Sequence, residues 1–173
     1  MTSDPFEALG VEPVFNLDLA LLEQRHRDLS RTLHPDRHAV SGAAERRRAL
    51  GRAIEVNEAF RQLKDPVRRA EALLARRGVQ SGEGKEPSAP PALLMEVMER
   101  REALAEIRLS KDQMALGRLI AEVEQDERRV RAELDRQFSD ARVDSVEILK
   151  KLGQLRYYRR FLDEAQAIAD DLF

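Results

Sequence analysis

The chain has 173 residues, 36% of them charged and 42% hydrophobic, with no cysteine and no tryptophan. Its 30 Lys and Arg against 32 Asp and Glu leave a formal charge of -2, which argues against a dominantly polyanion-binding surface. Without cysteine there is no disulfide framework, thiolate zinc site, all-cysteine iron–sulfur ligation or cysteine nucleophile. The longest run free of charged side chains, Pro87 to Met95, falls far short of the roughly 18 residues of a membrane span. The acidic start MTSDPFEALG does not read as a secretory leader, so a cytoplasmic protein is expected.

Ala, Leu, Glu, Arg and Gln dominate while β-branched and aromatic residues are sparse, which predicts an all-α fold. The segment Pro5 to Gly10 suits a brief helix ended by a glycine cap. From Asp18, an N-cap residue, the stripe Leu19, Leu22, His26, Leu29 and Leu33 predicts a helix that stops before Pro35. A second long helix is predicted from Ser41 to Lys64, with Leu50, Ala53, Ile54, Asn57, Phe60 and Leu63 on one face, packed as an antiparallel hairpin on the first. Asp65-Pro66 reads as N-cap and first residue of a short helix through Leu73 and Leu74, ended by Gly78.

Gly, Ser and Pro concentrate between Gly78 and Pro91, so residues 79–90 read as a linker between a domain at 1–78 and another at 91–173. Pro90-Pro91 opens a helix carrying Leu93, Leu94, Val97, Met98, Leu104 and Ile107. Ser110-Lys111-Asp112-Gln113 fits a capping box, so the next helix is expected to start there, with Leu116, Leu119, Ile120, Val123, Val130 and Leu134 inward. A last helix is expected from Asp140, bearing Val143, Val146, Ile148, Leu149, Leu152, Leu155, Leu162 and Ile168. Three such helices bury their stripes most economically as a three-helix bundle.

The connection between the first two long helices reads Leu33-His34-Pro35-Asp36-Arg37, where a bland linker would suffice. Pro and Asp are ordinary turn residues, which is one reading of it. In context, however, the first domain resembles a J domain, the co-chaperone module that stimulates ATP hydrolysis by DnaK-class chaperones. The resemblance rests on Asp4 to Gly10, on Leu29-Ser30-Arg31-Thr32-Leu33 before His34-Pro35-Asp36, on Val56-Asn57-Glu58-Ala59-Phe60, and on Leu63-Lys64-Asp65-Pro66 with Arg68-Arg69-Ala70. It implies that His34, Pro35 and Asp36 contact the chaperone, and that Arg25, Arg27 and Arg31 meet an acidic surface on its ATPase. Glu23 and Asp28 dilute that basic face, which suggests a dedicated partner; an ordinary solvated helix face is the other reading of the arginines.

The Gly/Phe-rich and cysteine-rich segments of general DnaJ proteins are missing, and the remainder resembles the HscB family, co-chaperones of iron–sulfur cluster assembly. The residues behind this are Ala70-Glu71-Ala72-Leu73-Leu74, the stretch from Leu93 through Glu102 with Ile107, and Leu155-Arg156-Tyr157-Tyr158-Arg159-Arg160-Phe161-Leu162. The resemblance implies two partners, an HscA-like DnaK-class ATPase and an IscU-like iron–sulfur scaffold protein, with no nucleic acid, membrane, cofactor, metal or enzymatic activity of its own. Because the chain has no cysteine, it lacks the tetracysteine zinc site of some eukaryotic relatives and is bacterial in type. By position the scaffold would be held by Leu94, Met95, Met98, Glu99 and Glu102, joined by Arg156, Tyr157 and Phe161.

Helix periodicity bears on that surface independently, since Val97, Leu104 and Ile107 form one stripe and Leu94, Met98 and Glu102 an adjacent row at steps of four. The row is either a docking surface or the edge of one wide core-facing stripe. Two rival functions carry less of the sequence. A metal site at His34-x-Asp36-x-His38 has a proline where a helical ligand pair would sit, and nucleic-acid binding by Arg46-Arg47-Arg48 and Arg128-Arg129-Arg131 conflicts with the negative charge. A general J-domain co-chaperone for another client is the remaining alternative.

Overall fold

The computed structural model describes residues 4–34, 36, 42–82, 84–85, 87–140, 142 and 144–172, all of them helical or irregular with no strand among them. Seven helices follow in order: α1 (Pro5–Leu9), α2 (Leu19–Thr32), α3 (Ala43–Lys64), α4 (Pro66–Arg76), α5 (Pro91–Ser110), α6 (Gln113–Ser139) and α7 (Ser145–Leu172). They fall into two compact units, Met1–Gln80 and Ser81–Phe173.

In the first unit the helix ends are fixed by short polar side chains and glycine. Asp4, Asp18 and Asp65 each accept amide bonds from the first turn of α1, α2 and α4. Gly10 and Gly78 turn the chain out of α1 and α4 with positive φ of 63° and 74°, a backbone region that disfavours side chains. The core joins Phe6, Ala8 and Leu9 of α1, Phe15 and Leu17 of the following loop, Leu22 of α2, Ala49, Val56, Ala59 and Leu63 of α3, and Ala70, Leu73 and Leu74 of α4. The face expected of α3 is therefore corrected, because Leu50 and Ile54 stand 58% and 61% exposed. Ala49 and Ala59 face the core instead, and Ala59 lies beside Pro5 and Ala8 of α1 and Ala72 of α4, so a small side chain stands where those helices meet α3.

Leu19 of α2 is also exposed, leaving Leu22 as that helix's one buried residue. The α2–α3 hairpin is held partly by polar contacts: the His26 ring stacks on Phe60 at 4.1 Å, its Nε2 lies 2.8 Å from Asn57 Oδ1, and Lys64 pairs with Glu23 at 3.4 Å. Arg69, fully inside, donates Nε to the Leu63 carbonyl and Nη1 to the Phe15 carbonyl, both at 2.7 Å. A buried guanidinium thus satisfies the carbonyl end of α3 and ties down the loop before α2.

In the second unit α6 and α7 form the main hairpin, burying Leu116, Leu119, Val123, Val130 and Leu134 against Ile148, Leu149, Leu152, Leu155 and Ile168. Two helix starts differ from the expected ones. Ser110 ends α5, with its hydroxyl bonded to the Ile107 carbonyl at 3.3 Å. Lys111 takes a left-handed φ of 55°, and Asp112 caps α6 through the Ala115 amide. The break at Lys111 comes after Ser110, so the cap is Asp112 and not the Ser110 of the expected capping box. Likewise α7 starts at Ser145 and not near Asp140, because Asp144 accepts from the Val146 amide. Val143 and Ser41, expected in α7 and α3, lie outside the described residues.

Candidate docking surfaces

The first surface is the end of the α2–α3 hairpin. Leu33 closes α2, its N–H bonding the Leu29 carbonyl at 2.9 Å, and His34 and Asp36 follow with exposed side chains. His34 Nδ1 accepts the Asp36 backbone N–H at 3.3 Å and lies 3.4 Å from the Asp36 carboxylate. The two residues thus set an imidazole and a carboxylate side by side, both exposed. Pro35 and His38 lie outside the described residues. Arg25, Arg27 and Arg31 are all exposed on α2, and Arg27 approaches Glu23 at 3.8 Å. Among the described residues no group of three His, Cys, Asp or Glu is gathered around a metal-sized space, and no helix is long and apolar enough to cross a membrane.

The second surface is the outer side of α5. Leu104 and Ile107 mark its buried side, whereas Leu94, Met95 and Met98 are 51%, 62% and 63% exposed. The row is therefore not the edge of a wide core stripe. Glu99 and Glu102 are exposed beside it, and Ala105 and Leu109 continue it toward the end of the helix. Helix geometry explains the arrangement, since Leu94, Met98, Ala105 and Leu109 fall within about 60° of one another, whereas Leu104 lies about 80° round the helix from Leu94 and about 120° from Met98.

The aromatic part of the expected surface divides. Phe161 is 2% exposed and so belongs to the bundle core; its ring lies 6.3 Å from that of Tyr157, which it backs. Tyr157 and Arg156 are half-buried, and the Tyr157 hydroxyl lies 3.5 Å from the Val97 carbonyl of α5. Together with Arg101, Gly153 and Arg160 they line a recess of about 270 Å³ beside α5.

Sequence reasoning missed a cluster of polar side chains between the three bundle helices. Arg100 of α5 pairs with Asp126 of α6, comes within 2.8 Å of Glu96, and sits 5.3 Å from the centre of the Tyr158 ring of α7. The approach to Glu96 is close but not aligned as a hydrogen bond, so its contribution is chiefly coulombic. Tyr158 donates to Glu96 at 3.0 Å and accepts from Gln154 at 3.0 Å, while Asp126 also holds Arg129 at 2.6 Å. Burial works against the charge of Arg100, yet the bond to Asp126 and the field of Glu96 outweigh it and raise its pKa. Burial likewise pushes both tyrosine hydroxyls above their ordinary value. In the sequence these are charges on amphipathic helices; only the i,i+4 spacing of Glu96 and Arg100 hinted at a pairing.

Residues 89–166 match the family model described as the HSCB C-terminal oligomerisation domain. A protein of Shewanella halifaxensis named "Co-chaperone protein HscB homolog" is 32% identical over 97% of this chain and 98% of its own length. One of the same name from Burkholderia vietnamiensis is 36% identical over 94% and 91%. Among solved structures, the chaperone HscB from Vibrio cholerae superposes with a TM-score of 0.86 at 30% identity, covering 99% of this chain and all of that one. The likeness spans the helical hairpin with its His34–Asp36 turn as well as the bundle with its exposed α5 row, and on that breadth the chain belongs to the HscB family of co-chaperones.

Proposed function

We propose that the protein stimulates ATP hydrolysis by an HscA-like DnaK-class chaperone and delivers to it an IscU-like iron–sulfur scaffold protein, in the service of cluster assembly. The observation that carries this reading is the exposed row Leu94, Met95 and Met98 with Glu99 and Glu102 on a helix whose opposite side is buried. Apolar anchors with acidic neighbours supply affinity through burial and orientation through charge. The His34–Asp36 turn and the arginines of α2 form the chaperone-facing part; the pairing of an imidazole and a carboxylate at the end of a braced hairpin needs little reordering before docking. The chain acts by binding, with no catalytic residue of its own, in the cytoplasm.

The decisive experiment is the steady-state ATPase rate of an HscA-like chaperone with this protein, with and without an IscU-like scaffold. Stimulation by the protein, increased further by the scaffold, is expected; no stimulation at saturating concentration overturns the reading. A second copy of the chain is the competing occupant of the α5 row, a reading that the family model's description as an oligomerisation domain favours. Sedimentation of Leu94→Ala/Met98→Ala beside the parent separates the two, since only self-association through the row makes the parent heavier.

A further inference from the structure

We propose that Arg100 is a positioning residue: the polar bridge it makes to Asp126, Glu96 and Tyr158, rather than apolar packing, holds the first half of α5 on the α6–α7 hairpin and so fixes the docking row. The proposal rests on the docking reading of Leu94, Met95 and Met98. It starts from an asymmetry within one helix. Both buried residues of α5, Leu104 and Ile107, lie in its second half, and residues 91–103 include none. The start of the helix is also weakly secured, because Pro90 stands at the cap position and no side chain caps the first turn. Yet the proposed anchors Leu94, Met95 and Met98 all belong to this first half.

What reaches it from the hairpin is the cluster around Arg100. From one side chain the bridge reaches α6 through Asp126 and α7 through the Tyr158 face, and Tyr158 returns to α5 through Glu96. The Tyr157 hydroxyl approaches the Val97 carbonyl one turn earlier. Such contacts are directional, so they hold a helix in one rotation and one register, whereas half-buried Leu93 and Val97 would tolerate sliding. The arrangement also predicts that the bridge can be removed without collapse. Asp126 keeps Arg129, Glu96 keeps the Tyr158 hydroxyl, and a Met at position 100 still covers the Tyr158 ring. No buried carboxylate is stranded.

The test uses the full chain, with Arg100→Met, Arg100→Lys, Asp126→Asn and the Arg100→Met/Asp126→Asn double variant. Amide hydrogen exchange is expected to quicken about tenfold over 93–103 in Arg100→Met, with α6 and α7 unchanged, as befits local opening of one segment. Titration with a purified IscU-like scaffold is expected to show about tenfold weaker binding for Arg100→Met and for Asp126→Asn, with no further loss in the double variant, because both break one bridge. Arg100→Lys, which keeps the charge, should recover part of the loss. Asp126 lies on α6, away from the row, so weakening by Arg100→Met but not by Asp126→Asn would mean direct contact by Arg100 and overturn the proposal. Unchanged exchange over 93–103 would overturn it too, as would equal loosening of α6 and α7. If Leu94→Ala/Met98→Ala binds the scaffold like the parent, it is the docking reading that fails, and the exchange profile still decides whether Arg100 fixes the helix.

Discussion

The α2–α3 and α6–α7 hairpins meet the same geometric demand with different chemistry. In the second, stripes of Leu, Ile and Val run along both helices and are buried from Leu116 to Leu134 and from Ile148 to Ile168. In the first, α2 buries Leu22 alone, and the contact is completed by the stacked pair His26–Phe60, the bond to Asn57 and the Glu23–Lys64 pair. A long apolar seam makes a platform for a third helix. A short seam supplemented by polar contacts braces two helices and leaves the His34 and Asp36 side chains exposed beyond the end of α2. The division of labour follows: the first hairpin presents its end, the second the helix laid on its side.

The largest effect expected from attacking this contrast is functional and leaves the fold untouched. His34→Gln and Asp36→Asn lie at exposed positions on the hairpin end, so each should keep its stability within about 0.5 kcal/mol. Each should nevertheless abolish stimulation of an HscA-like ATPase while scaffold binding persists. A variant that stimulates like the parent at saturation removes the turn from the mechanism.

Next in size is the penalty for emptying the platform. Phe161→Ala should cost about 3–5 kcal/mol, because the ring is fully enclosed, and should lower the melting temperature along with any loss of binding. Leu94→Ala/Met98→Ala should leave melting nearly unchanged and weaken scaffold binding by 2 kcal/mol or more, as removal of interface anchors does, roughly 30-fold in affinity. Thermal melts and scaffold titrations on the same samples check both; a parent-like melt for Phe161→Ala would put that ring back on the surface.

Phe161 also shows what kind of information the sequence holds. It sits four residues from Tyr157 in an aromatic cluster, and nothing in the spacing says which ring faces inward, because that depends on where α5 lies. Where one helix has one dominant neighbour, as α6 has in α7, the apolar stripe was legible apart from Ile120, which is only half-buried. On α3 it was not: the helix packs against α1, α2 and α4, and its core side includes Ala49 and Ala59, whose size hides them from a search for large side chains. That one row of α5 would stay exposed was legible because two rows compete for one core, and Leu104 and Ile107 are the ones buried. The Arg100 bridge was not, since a charged residue on an amphipathic helix reads as solvated until its partners arrive from two other helices. Prolines and aspartates at helix ends were read well, except at the start of α7, where Asp144 caps in place of Asp140, and at that of α6, where Asp112 caps in place of Ser110.

The exception at α6 yields a smaller, sharper test of how α5 and the platform are joined. Asp112→Ala should cost about 1 kcal/mol by freeing the Ala115 amide, whereas Ser110→Ala, whose hydroxyl only backs onto the Ile107 carbonyl, should stay within about 0.5 kcal/mol. Equal costs in chemical denaturation would restore the capping box to Ser110.

The smallest effect, and the one most local to the join, is in the tyrosines. Both lie on α7 where α5 crosses the platform, and the chain has no tryptophan to mask their ultraviolet signal. For Tyr157, burial raises the pKa and the charges of Arg100 and Arg101 pull it partly back; for Tyr158, burial again leads, with the Gln154 bond lowering and the Glu96 bond raising it. A folded-state pKa above the unfolded one means that the neutral hydroxyl is favoured by folding. The stability it contributes is complete below the unfolded value, near pH 10, and is lost as pH rises through the raised folded value. Phenolate absorbance should therefore develop later than in the denatured chain. Arg100→Met removes a cation that favours both phenolates and should delay both further, whereas Arg101→Met should act more on Tyr157, with Tyr157→Phe assigning the two transitions. Titration of both residues together at the denatured-chain value would mean that α5 does not cover this part of α7, and with that cover would go the fixed register of the docking row.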